Sequence, residues 1–369
     1  MLNKKLRDFR KLLHINPEAS CEEVKTRALI KEFLEDNTVN LEVHDRGAWL
    51  YGYKDEGADQ TLLFRADFDA IEGEEGCYHG CGHDGHTAIL AGLAIKLDQE
   101  KIGKNIVYLF QHAEENAEGA KECLDIFKER HIDYAFALHG HVGLEIGWAG
   151  VHEDLVCCAS QGLLIQLRGI QSHASAPEEG LNPAYLMSEL VLLLKPLADF
   201  RGFGPMEWND RIYDGMIMAT IVYQKLGEKS FGISPFKAEL GLTIRAYHED
   251  EMKILRQTIE EFIKNRAEEL GLDYSLEDLD VFPETKNQAQ LVKRVKKIWK
   301  DQGLNYVERE YPHRGSEDFG YISKEVPSCY FELGLGEGPP LHNLDFEFKD
   351  EALDAGINFF ETLARADFI

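Results

Sequence analysis

The run Cys81-Gly-His83-Asp84-Gly-His86 sets a thiol and two imidazoles in a glycine-rich turn, just ahead of an apolar helix expected from Thr87 to Leu97. Further along stand the adjacent carboxylates Glu114 and Glu115, then His139 and His342. Each is weak evidence alone, because a lone Cys-x-His pair is more often structural than ligating and Glu-Glu pairs are usually solvated. Together, thiol, imidazoles and carboxylates suit a borderline divalent cation such as Zn, Mn, Co or Ni. Adjacent glutamates add a specific use. If one binds the metal, its neighbour stands beside the metal's water, whose pKa falls from about 15.7 to about 7. That neighbour can take the proton and deliver it to a leaving amine, which is amide hydrolysis without a covalent intermediate.

These residues need elements to place them. Thr61 to Phe68, Asn105 to Phe110 and Tyr134 to Leu138 are short continuous apolar runs with helical stretches between them, the pattern of a mostly parallel α/β sheet with helices on both faces. Open sheets of that kind place their sites beyond the carboxyl ends of the strands. Glu114 and Glu115 follow one such end, His139 closes another, and His342 follows the strand Tyr330-Phe-Glu-Leu. Ser20-Cys21-Glu22-Glu23 has the form of a capping box opening a helix. Near Ser160 the texture changes. Strands at 163–167, 216–223 and 238–246 with helices at 183–194 and 249–270 predict an inserted α+β sandwich over 160–270, flanked by a discontinuous domain of 1–159 and 271–369.

With 40 Lys plus Arg against 66 Asp plus Glu, the formal charge is -26. Such a surface repels phosphate backbones, so nucleic acid is not an expected partner. No segment reaches the ~20 apolar residues of a membrane helix, and the N-terminus lacks a signal-peptide block, so the expected location is cytoplasmic. Seven scattered cysteines do not form a disulfide framework.

Read in order, Arg65-Ala-Asp67-Phe-Asp69, His79-Gly-Cys81-Gly-His83-Asp84-Gly-His86-Thr87, Gln111-His-Ala-Glu114-Glu115, Ala137-Leu-His139, Ser172-His173-Ala174, Leu242-Thr-Ile-Arg245, Gly315-Ser-Glu317-Asp318-Phe319 and Leu341-His342-Asn343 span nearly the whole chain. The set resembles the hippurate hydrolase and auxin-conjugate hydrolase branch of the aminoacylase/carboxypeptidase metallopeptidases. The resemblance implies that Cys81, His83, Glu115, His139 and His342 bind one or two divalent ions and that Glu114 is the general base. It also implies that His173 stabilises the oxyanion, often in the partner subunit's site, that Arg245 holds a substrate carboxylate, and that Asp67 orients a ligand from behind. The implied architecture is a metal-binding catalytic domain with an inserted lid that is also the homodimer interface. The implied substrate is a small N-acyl amino acid or dipeptide.

The chain departs from the family at His112, in the reduced glycine string Asn116-Ala-Glu118-Gly119, at Asn182-Pro183 and at Gly232. His112 stands where Pro is usual, which bears on loop shape. Gly232 stands where Asn is usual and helps bind substrate, which leaves a dipeptidase or an N-acetyl-diaminopimelate deacetylase as alternatives with the same chemistry. A reading from another class is a non-catalytic, metal-stabilised binding protein, although such proteins tend to lose the base or a ligand first. His79 and His86 are expected to stabilise the turn; His112, His141 and His313 sit beside motif residues, and for each of them lining the site is the lesser reading.

Overall fold

The computed structural model describes residues 2–74 and 76–368. They form two compact units, one of Met1–Val156, Thr285–Pro312 and Glu317–Ile369, the other of Cys157–Glu284 with His313–Ser316.

The first unit is built on an eight-stranded sheet, in the spatial order Glu42–Asp45, Leu50–Lys54, Asn105–Gln111, Thr61–Asp67, Tyr134–His141, Ser328–Gly334, Trp148–Val151, Asn305–Glu308. Thr61–Asp67 pairs in parallel with Asn105–Gln111 and with Tyr134–His141, which in turn pairs in parallel with Ser328–Gly334. Every residue of Thr61–Asp67, Asn105–Gln111 and Ser328–Gly334 is buried. Strands covered on both faces are mainly apolar, which is why their sequences run without alternation, with polar residues such as Arg65, Asp67 and Gln111 toward the strand ends. Helix His83–Leu97 is buried almost all round, whereas helix Leu2–His14 presents a stripe of Leu6, Phe9 and Leu13 to the core and leaves its other face in water.

The second unit is a four-stranded antiparallel sheet in the order Ile217–Leu226, Lys237–Ala246, Ala159–Arg168, Asp273–Phe282. Leu163, Ile165 and Leu167 point inward while Gln166 and Arg168 are exposed, the alternation of a sheet with one wet face. Helices Ala184–Leu194 and Glu249–Leu270 share its apolar core. This unit runs on to Glu284 instead of ending at 270, because Asp273–Phe282 pairs with Ala159–Arg168 through contacts such as Leu163 opposite Asp278. The acidic, mostly exposed sequence of that edge strand gives no periodic signal. Among the described residues no helix is long and apolar enough to cross a membrane, and all seven cysteines are free.

Candidate metal centre

In the first unit the parallel strands end side by side, and the chemistry sits at those ends. Asp67 closes one strand and lies level with Gln111 at the end of its neighbour. His139 lies near the end of the third. Gly82, with φ +86°, makes the left-handed step into the helix that begins at His83. Cβ-bearing residues rarely adopt that conformation, so glycine is the residue for this corner.

The ligand-type atoms converge. Those of Cys81, His83 and His139 lie within 4.8 Å of one another, as do those of Cys81, Glu115 and His342, and those of His83, Glu114 and Glu115. Cys81 Sγ is 2.9 Å from His342 Nε2. His342 arrives on a backbone of φ +66°, and it is pinned by its own N–H to the Gly80 carbonyl and by the Tyr78 hydroxyl to its carbonyl.

His83 and His139 each have one nitrogen committed and one presented. His83 Nδ1 donates to Asp69 Oδ1 at 2.9 Å, leaving Nε2 buried and without a partner. His139 Nδ1 donates to the Gly140 carbonyl. A carboxylate or carbonyl behind a ligating histidine fixes its tautomer and raises its basicity. His86 is different: Nε2 accepts the Gly140 N–H and Nδ1 donates to Asp67 at 2.7 Å, so both nitrogens are occupied. Asp67 therefore orients His86, while the residue behind His83 is Asp69. Asp67 Oδ2 itself lies 3.8 Å from the open nitrogen of His83.

Asp69 also accepts the Glu115 N–H and the Ser20 hydroxyl through Oδ2. The expected capping box over Ser20 to Glu23 is not formed. Helix Val24–Asn37 starts without a side-chain cap, and Glu23 instead accepts the Ala113 N–H at 2.7 Å. Ser20 is drawn to Asp69, and Glu23 to the strained Gln111–Gly119 loop. Ala113 and Ala117 hold positive φ of 48° and 65°, a conformation that costs a non-glycine residue on the order of 1 kcal/mol or more. A Cβ at Gly119 would stand 1.7 Å from the His112 carbonyl oxygen, so the loop closes on itself at that glycine. Beneath it, buried Arg65 bonds Asp67, Asp318 and Gln111, and it pairs with Glu317 at 3.0 Å.

The charges fit a cation. Burial, followed by Glu317 and Glu115, holds the Glu114 carboxyl well above its usual range. Burial and Glu115 do the same to the Cys81 thiol. Burial would lower His83, but Asp67 and Asp69 carry it up to about 10. Burial and His86 keep His139 neutral. The orphaned His83 Nε2 and Glu115 Oε1, set among a thiol and carboxyls that resist ionising together, are a donor set that a divalent cation would satisfy.

A profile of peptidase family M20/M25/M40 matches residues 63–366. The chain belongs to this family. It is a metal-dependent amidohydrolase. It is 27% identical over 380 residues to an IAA-amino acid hydrolase of Arabidopsis thaliana, covering 96% of this chain and 84% of that protein. It is 28% identical over 370 residues to an N-acetyldiaminopimelate deacetylase of Oceanobacillus iheyensis, covering 96% of each. Its fold matches a Bacillus subtilis dinuclear metal-binding peptidase of the M20 family with a TM-score of 0.79, at 22% identity and over 99% and 98% of the two chains.

Two residues singled out in the M20 family pattern, His173 and Arg245, lie in the second unit. The Ser175 N–H donates to His173 Nδ1 at 3.1 Å. That nitrogen is therefore an acceptor, and a neutral ring carries its proton on Nε2. Arg245, on strand Lys237–Ala246, donates to the Arg314 carbonyl at 2.8 Å. Asp69, Glu23, Ser20 and the Arg65 network had no periodic signal. Arg65, Asp69, Gln111, Glu317 and Asp318 did stand within the motifs that carry the family resemblance, whereas Ser20 and Glu23 did not.

Proposed function

We propose that this chain hydrolyses the amide bond of N-acyl or N-aroyl amino acids, releasing a carboxylate and an amino acid, with Glu114 as the general base. The observation that carries the reading is the pair of consecutive carboxyls on the strained loop, Glu115 with an unpartnered oxygen facing His83 and Glu114 buried beside it. In this reading Cys81, His83, Glu115, His139 and His342 hold one or two divalent ions. When bound, such an ion supplies Lewis acidity, lowering the pKa of a water and polarising the scissile carbonyl. Glu114, whose carboxyl binds a proton readily in its buried setting, takes the proton of the attacking water and passes it to the amine nitrogen as the C–N bond breaks. His173, with its Nε2 proton, donates to the developing oxyanion. Arg245 binds a substrate carboxylate, and Asp67 acts from behind the site through its hydrogen bond with His86.

The reading includes a homodimer formed through the second unit. Edge strand Ile217–Leu226 exposes Val222, Tyr223 and Leu226, and unpaired apolar edges favour strand pairing with another copy. It also places the enzyme in the cytoplasm. N-acetyl-diaminopimelate deacetylation is the second reading, favoured by the likeness to the Oceanobacillus iheyensis enzyme and left open by Gly232 standing where the family commonly has Asn.

The test is release of free amino acid by the Mn- or Zn-loaded protein from a panel of N-acyl amino acids, dipeptides and N-acetyl-diaminopimelate. Turnover of the first class is expected, while turnover of the last alone would favour the second reading. Silence across the panel would sink both.

A further inference from the structure

Of the motifs that carry the family resemblance, Gly315-Ser-Glu317-Asp318-Phe319 has no part in the reading above. Glu317 and Asp318 are nevertheless both buried in the first unit, and carboxylates are seldom buried unless they are paired.

Asp318 accepts from three groups. Its Oδ1 takes Arg65 Nη2 at 2.7 Å, and its Oδ2 takes the Ala120 N–H at 2.8 Å. Gln111 Nε2 lies between, 2.8 and 2.7 Å from the two oxygens. Arg65 closes the ring, since its Nε donates to Gln111 Oε1 at 2.8 Å. Gln111 ends strand Asn105–Gln111, and Ala120 stands in the first turn of helix Gly119–Cys123. Between them runs the loop that carries Glu114 and Glu115. One carboxylate therefore holds both ends of that loop.

The loop needs such a hold. Ala113 and Ala117 keep positive φ, and a strained backbone persists only where its surroundings over-determine it. Within the loop the Ala117 N–H reaches the Glu114 carbonyl and the Gly119 N–H reaches the Ala113 carbonyl, both at 3.0 Å. A Cβ at Gly119 would also come within 2.9 Å of Gln111 Nε2, so the Gln111 amide lies directly against the glycine that closes the loop. Asp318 is itself fixed. The Tyr321 N–H donates to its carbonyl at 2.9 Å, the Thr285 hydroxyl to the Glu317 carbonyl at 2.8 Å, and the Phe319 N–H to the Glu317 carboxylate at 3.0 Å.

We propose that Asp318, with Arg65 and Gln111, is a clasp that keeps the 112–119 loop in its strained form and so holds Glu114 at its working position. Asp318 is a positioning residue: it acts through the loop and takes no part in proton transfer. The proposal rests on the reading of Glu114 as the general base and adds what keeps that base in place.

Asp318→Asn tests it. The variant keeps the shape but sets an amide NH2 against either the Arg65 guanidinium or the Ala120 N–H, so one end of the clasp opens. With the Mn-loaded full chain and an N-acyl amino acid that wild type hydrolyses, kcat is expected to fall about 10–100-fold, the usual effect of losing a partner behind a site, with KM little changed. Hydrogen exchange read by mass spectrometry should quicken over residues 112–120 and stay unaltered in strand Ser328–Gly334. Asp98→Asn is the control. Asp98 is a buried carboxylate of the same unit that accepts the Val39 and Asn40 N–H groups, both at 2.9 Å, and its loss should lower the melting temperature without altering kcat. Should Asp318→Asn fail to fold, Gln111→Met decides, because it releases the strand end while leaving Asp318 on Ala120, and the same two changes are expected. A folded variant with wild-type kcat, or with loop exchange unaltered, overturns the proposal and leaves the amidohydrolase reading standing. If wild type turns over no acyl amino acid, that reading fails instead, and the exchange measurement, which needs no substrate, still decides whether Asp318 holds the loop.

Discussion

His83 Nε2 and Glu115 Oε1 lie 3.9 Å apart, both shut away from solvent and both without a hydrogen-bond partner. Asp69 produces this. One of its oxygens takes the proton of His83 Nδ1 and the other takes the Glu115 N–H. A single buried carboxylate thereby aims an imidazole from the helix start and a carboxyl from the strained loop at the same point. Buried polar atoms without partners cost roughly 1–3 kcal/mol each, so their pairing here marks a place where a ligand restores the balance.

Asp69→Asn should therefore weaken metal binding by about 10–100-fold, the usual effect of losing the partner behind a ligating histidine. Competition of the purified protein against a chromogenic chelator would measure it. Unchanged affinity would mean that Asp69 has no part in holding His83.

Removing metal should lower thermal stability. A ligand bound at a hundred times its Kd contributes about 2.7 kcal/mol, and without it Glu114, Glu115 and Cys81 face one another with no cation. Melting curves before and after chelation, then after adding back Mn or Zn, should show a reversible loss. A melting temperature indifferent to chelation would count against the site.

Replacing Glu114 by Gln should reduce turnover by about 10²–10⁴-fold, the span of general acid–base contributions, while metal content and fold persist. Activity assays run beside metal analysis decide this. A variant that turns over at the wild-type rate would remove Glu114 from its role.

For His173→Ala the expected loss is roughly 3–4 kcal/mol of transition-state stabilisation, by comparison with other oxyanion donors, with substrate affinity little changed. Steady-state kinetics separate the two, and an unaltered kcat would exclude the assignment.

Glu23 gives a pH signature. Burial and then Asp69 raise its carboxyl from an ordinary value near 4.5 up to about 7. Below the lower value both folded and unfolded chains hold the proton. Between the two the unfolded chain releases it and the folded chain keeps it, so stability falls as pH rises, and the contribution is gone above about 7. The shift corresponds to at most on the order of 3 kcal/mol. Glu23→Gln keeps an acceptor for the Ala113 N–H, so it should flatten the decline in denaturant midpoint between pH 5 and pH 8. An equally steep decline in the variant would show that Glu23 does not titrate there.

Much of the protein is legible in its sequence because two physical signals are local. Continuous apolar runs such as Leu62–Ala66 and Ile106–Phe110 announce strands buried on both faces, and ligand-type residues just beyond them announce where a site would lie. Cys81, His83, Glu114, Glu115, His139 and His342 were all visible in this way. Strand Asp273–Phe282 was not, because an exposed acidic edge strand needs no apolar periodicity to pair. Ser20 and Glu23 were misread as a helix cap, since their types suit that use and only the fold brings Asp69 and Ala113 within their reach. Residue types, their spacing and the family resemblance they carry pointed to the metal-dependent hydrolase character and suggested the donor set. Tertiary structure alone decided which nitrogen His83 and His139 present, that Asp69 and not Asp67 stands behind His83, and that Arg245 donates to the Arg314 carbonyl. Those facts depend on contacts between residues tens or hundreds of positions apart, which no local pattern encodes.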